Sequence, residues 1–150
     1  MKLAEALSLR KDCQKKIEQL RMRIINNVKV QEGDEPSENP EELMEELDSS
    51  LKQLQSLIFR INVTNMKTVN NGKTLTELLA DRDVLSKRIQ TLREIFDNAS
   101  SGQDRYSRSE IKIVTTINVK ALRRQIDRLS TDLRVLDIEI QSLNFTVEVE

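Results

Sequence analysis

The sequence predicts a mainly α protein of four long antiparallel helices, a helical bundle or coiled coil. One or two short β-strands are expected near residues 111–117 and 145–149. Three observations carry this reading. Val119, Leu122, Ile126, Leu129, Leu133, Leu136, Ile140 and Leu143 recur at alternating spacings of three and four, the heptad seam of a helix laid against other helices. The composition is 33% charged and 37% hydrophobic, as expected of slender helices with narrow buried stripes. Aromatic residues make up 3% with no Trp, so Leu and Ile must supply the core.

The elements follow in order. The first helix should cover about 2–28, with a seam of Leu3, Ala6, Arg10, Cys13, Ile17, Leu20, Ile24 and Asn27. Residues 31–39 form an acidic loop containing Gly33 and Pro36. Asn39 then caps a second helix with Pro40 at its first position. Its seam reads Met44, Leu47, Leu51, Leu54, Ile58, Ile61 and Asn65, and it fades near Lys67. Asn70-Asn71-Gly72 is a turn, and Thr74 with Glu77 makes a capping box for the third helix. That helix uses Leu75, Leu78, Arg82, Leu85, Ile89, Leu92, Phe96 and Ala99, and Ser100-Ser101-Gly102 stops it. The connector 100–118 is too long to be structureless in a compact domain. Within it Ile111, Ile113, Thr115 and Ile117 alternate with Lys112, Val114 and Thr116, the pattern of a strand. Asn118 caps the fourth helix. Beyond it Phe145, Val147 and Val149 alternate with Thr146, Glu148 and Glu150 as a second strand. All 150 residues are read as a single helical domain.

Charge is unevenly placed. Residues 1–30 carry eight basic and three acidic side chains, whereas residues 31–48 carry nine acidic and no basic ones. Arg21, Arg23 and Lys29 thus end one helix and Glu41, Glu42, Glu45 and Glu46 begin the next, complementing both dipoles as a solvated rim of a hairpin. The net charge of −1 argues against nucleic acid and anionic membranes as partners. The charged N-terminal residues do not fit a signal peptide, and no apolar run approaches a membrane span. A single cysteine, Cys13, on a seam is read as a small buried hydrophobe, and the cytoplasm as the expected compartment.

No motif names a reaction. Gly72-Lys73-Thr74 resembles the end of a phosphate loop, but Lys67 stands where the loop needs glycine and a helix precedes it. The chain has no histidine and its seams hold no Glu, so neither a metal nor another cofactor is expected. No catalytic residues can be named. The polar seam positions are the first candidate site. Arg10, Asn62, Asn65 and Arg82 would approach one end of an up-down-up bundle. They form either a layer fixing register or a pocket for an anion or small ligand. The second candidate is a subunit interface of Arg105, Tyr106 and Arg108 with Phe145, Val147 and Val149. The two strands flank a helix about 38 Å long, so pairing with another subunit, or with Val28-Lys29-Val30, is easier than pairing with each other.

Lys-Leu-Ala-Glu-Ala-Leu at 2–7, Val-Gln-Glu-Gly at 30–33, Arg-Ile-Asn-Val-Thr-Asn at 60–65, Thr-Leu-Thr-Glu-Leu-Leu-Ala-Asp-Arg-Asp at 74–83 and Asp-Arg-Tyr-Ser-Arg-Ser-Glu-Ile-Lys at 104–112 carry a resemblance. They resemble a family of small bacterial proteins of unknown function, some labelled septicolysin. The resemblance implies a cytoplasmic, coiled-coil homo-oligomer, in the form of a hexamer, and supplies no catalytic residues. The label suggests a cytolysin, a reading that the residues do not favour. The expectation is a non-enzymatic, self-associating scaffold open to a further protein partner. The alternative is a bundle that binds a small ligand.

Overall fold

A computed structural model describes residues 1–101 and 111–150. It is mainly helical: α1 (Leu3–Asn27), α2 (Pro40–Lys67), α3 (Leu75–Ser100) and α4 (Val119–Thr146), with β1 (Val69–Asn70) and β2 (Lys73–Thr74) between α2 and α3. The helix ends fall where side chains can satisfy free backbone groups. Asn39 Oδ1 accepts from the Glu41 amide at 3.0 Å, and Pro40 opens α2 with the fixed φ that a first turn needs. Asn118 Oδ1 accepts from the Ala121 amide at 3.0 Å at the start of α4. Thr74 directly precedes α3.

The chain divides into two compact units, Met1–Thr76 with Ser142–Glu150, and Glu77–Gln141. In the first unit α1 and α2 form an antiparallel hairpin. Cys13 Sγ donates to the Ser50 carbonyl at 3.1 Å and Lys16 Nζ meets Glu46 at 2.9 Å. This register also sets Ala6 level with Leu57 and Leu20 level with Leu43. Ala6, Cys13, Leu20, Leu43, Ser50, Leu57, Ile61 and Thr64 are all buried. Small residues at Ala6, Cys13 and Ser50 let the two backbones approach within 8 Å. The hydroxyls of Ser50 and Thr64 turn back onto the carbonyls of Glu46 and Arg60, both at 2.9 Å, so neither is buried without a partner.

The α1–α2 loop is tied to the helix it leaves. Asn27 Nδ2 donates to the Arg23 carbonyl at 2.8 Å, and its Oδ1 accepts from the Glu38 amide at 3.0 Å. Arg23 also pairs with the Glu38 carboxylate, which holds that carboxyl below its ordinary range. The basic end of α1 and the acidic approach to α2 therefore do meet, as the charge distribution implied.

β1 and β2 form a two-residue antiparallel hairpin with Val69 opposite Thr74 and Asn70 opposite Lys73. Its loop is Asn71-Gly72, both at positive φ (49° and 80°), the conformation of a type I′ turn. The Gly-Lys-Thr run thus closes a hairpin.

In the second unit α3 and α4 run antiparallel. Arg93 Nη2 reaches Ser130 Oγ at 3.3 Å, and Arg123 lies 5.8 Å from the Phe96 ring centre, so positions rising along α3 meet positions falling along α4. Leu78 and Ile89 on α3 and Ile126 and Ile140 on α4 are buried, whereas most other seam residues of the two helices remain half-covered.

Both strand expectations need correction. Residues 111–116 hold no strand, and Ile111, Ile113 and Val114 are 92%, 66% and 66% exposed. Alternation supplies only one face; a strand also needs an edge to hydrogen-bond, and among the described residues none pairs with this segment. At the C-terminus, α4 continues through Phe145 and Thr146, leaving only a short extended tail.

Candidate functional site

That tail pairs within its own chain rather than with another subunit or with residues 28–30. Glu148 forms an isolated antiparallel bridge with Lys2. The Leu3 amide donates to the Val147 carbonyl and the Val149 amide to the Met1 carbonyl, each at 2.9 Å. The partner is the extended stretch just before α1, which no alternation of residues marks. Glu148 meets Lys2 Nζ at 2.6 Å and the Met1 ammonium at 2.9 Å, while Glu150 pairs with Lys67 and its carbonyl accepts from Arg60 Nε at 2.7 Å. Val147 and Val149 are half-buried by this clasp, while Phe145 stays 67% exposed.

The hydrogen bond from Lys2, then that from the Met1 ammonium, lowers the Glu148 carboxyl to about 2. Because the folded value lies below the ordinary 4.5, its stabilising contribution is complete above that value and vanishes as pH falls through about 2. A carbon-detected NMR titration of Glu148 should give a midpoint near 2. A midpoint near 4.5 would mean that the clasp does not form in solution.

Three of the four polar seam residues lie in the first unit. Arg10 is half-buried on α1, where the hairpin register sets it level with about residue 53. That is nine residues short of Asn62, or roughly 14 Å along α2. Asn62 is exposed and Asn65 half-buried. Arg82 belongs to the other compact unit, where it pairs with Asp83 at 3.3 Å. Arg10 and the two asparagines thus stand at different levels of their hairpin. Arg105, Tyr106 and Arg108 lie outside the described residues. Among the described residues no group of His, Cys, Asp or Glu is arranged to hold a metal ion, and no helix is long and apolar enough to cross a membrane.

The most unusual feature is on α2, at residues the sequence reading placed in the core. The buried positions Leu43, Ser50, Leu57 and Thr64 repeat every seven residues and face α1. One position further along, Met44, Leu51 and Ile58 repeat with the same period and are 55%, 44% and 39% exposed. At 100° per residue this second stripe lies about 100° around the helix from the first. Phe59 and Met66, 68% and 59% exposed, extend it toward the C-terminal end. Of the seam expected on α2, Ile61 is buried and Leu47, Leu54 and Asn65 are half-buried, while Met44, Leu51 and Ile58 are exposed. The face actually used against α1 carries serine and threonine. A signal for this was present: Phe59 and Met66 widen the apolar arc of α2 beyond what a single neighbouring helix can cover.

Paired long helices, a minimal hairpin and an exposed apolar stripe on α2 define a mainly helical protein. The chain belongs to a family of unknown function, DUF6847, which matches residues 10–149. It is also similar to a functionally unknown conserved protein from Corynebacterium diphtheriae, known from a crystal structure. The two are 40% identical, with a TM-score of 0.92, over 100% of this chain and 99% of that one. Among curated proteins, no relative matches.

Proposed function

We propose that this protein is a non-enzymatic, self-associating helical protein of the cytoplasm whose assembled form serves as an interaction scaffold. The observation that carries the reading is the apolar heptad stripe of α2 standing free of its own chain. Covering a regular stripe of this kind with another helix removes apolar area from water and is favourable.

Light scattering coupled to size exclusion tests the proposal. The expected mass is a whole multiple of 17.4 kDa, greater than one, at micromolar concentration. A mass of one chain persisting at hundreds of micromolar would overturn it.

A further inference from the structure

Resting on that reading, we infer that the α2 stripe of Met44, Leu51, Ile58, Phe59 and Met66 is an isologous interface, covered by the same stripe of a second copy running antiparallel about a two-fold axis at Gln55. Three observations select this occupant and this direction.

The first is pattern. Leu51, Ile58, Phe59 and Gln55 share one arc of α2, and a two-fold axis at Gln55 sets Met44 opposite Met66 and Leu51 opposite Phe59 of the copy. Four of the five large apolar residues then gain an apolar partner, and Ile58 lies along the stem of Lys52, as a self-complementary interface allows.

The second is charge. Residues 40–53 hold Glu41, Glu42, Glu45, Glu46 and Asp48 against Lys52, while residues 54–67 hold Arg60 and Lys67 and no acid. Antiparallel pairing lays the acidic half of each helix along the basic half of the other and opposes the two helix dipoles. Parallel pairing would set the five acids against five acids. Arg60 and Lys67 lie about 140° and 120° around α2 from Gln55, where they contact Glu150, so on the facing arc the gain is the separation of Glu41, Glu45 and Asp48 from their own copies.

The third is area. With 39–68% of each residue free, the five side chains offer on the order of 500 Å² per copy. Two copies, with the flanking stems of Asp48, Gln55 and Asn62, reach the ~1,200 Å² total at which specific interfaces begin. The face is more regular than any other exposed apolar group on the described residues.

Two sets of variants of the full chain test the assignment. Gln55→Cys places a thiol on the axis, where oxidised glutathione should convert it to a disulfide-linked dimer at twice the chain mass. Gln53→Cys, also exposed but on the far side of α2, should stay uncrosslinked, as should the parent chain, whose Cys13 is 5% exposed. Leu51→Glu with Ile58→Glu should halve the mass by light scattering while leaving the helical circular dichroism unchanged. Val135→Glu with Ile138→Glu on α4 is the comparison and should keep the parent mass. If the parent is an oligomer but the α2 double variant retains its mass, or Gln55→Cys fails to crosslink, another interface holds the copies and this inference falls alone. A parent chain that is monomeric throughout removes both this inference and the proposed function.

Discussion

Leu20→Ala should lower the stability of the protein by roughly 2–5 kcal/mol, the range for emptying a fully enclosed leucine site. Leu20 is 0% exposed and stands level with Leu43, itself 5% exposed, across the α1–α2 hairpin. The adjacent seam positions Ile17 and Ile24 are half-buried, and one turn beyond them stand Cys13 against Ser50 and, at the loop end, Asn27, polar groups already held by hydrogen bonds. For a chain of this length the melting temperature should drop by about 5–20 °C. Self-association would make that temperature depend on concentration, so parent and variant must be melted at the same concentration. A loss below about 1 kcal/mol in urea titrations would show that the hairpin interior is not the rigid part of the unit.

Asn27→Ala should cost about 1–3 kcal/mol, the penalty for leaving a partly buried amide without its acceptor. Asn27 is 9% exposed and acts at two points, accepting from the Glu38 amide and donating to the Arg23 carbonyl. The loop it secures carries the acidic run that leads into α2. Its loss should appear first as faster hydrogen exchange at the Glu38 amide, ahead of global unfolding. Asn27→Asp keeps the acceptor for Glu38 and should retain more of that protection than alanine. Equal exchange rates in the two variants would mean that the side-chain oxygen does not hold the loop.

Much of the architecture is legible in local chemistry. Asn39-Pro40 and Asn118 mark helix starts because a side-chain oxygen or a fixed φ answers a need within three residues of itself. The Asn71-Gly72 turn is legible for the same reason, since its positive φ values demand those residues. The α1 seam was also read correctly at Leu3, Ala6, Cys13, Leu20 and Asn27, all of them buried. There the apolar arc is narrow and offers only one choice.

On α2 the arc is broad and offers two. Counting hydrophobicity puts Met44, Leu51 and Ile58 on the seam beside Leu47, Leu54 and Ile61, but close approach to Ala6 and Cys13 favours the adjoining stripe, where Ser50 fits the short distance. The strand expected at 111–117 failed for a related reason: alternation describes one chain, and a ladder needs two. The C-terminal tail found its partner in residues 1–3, a pairing across nearly the whole chain that no local pattern encodes.

Helix number, limits and loop positions were thus readable from the order of residues, because each depends on neighbours a few positions away. Which face of α2 meets α1, and which stays exposed, was settled only by folding. Burial goes to the surface that fits a particular neighbour at a particular distance, and that neighbour is chosen by the rest of the chain.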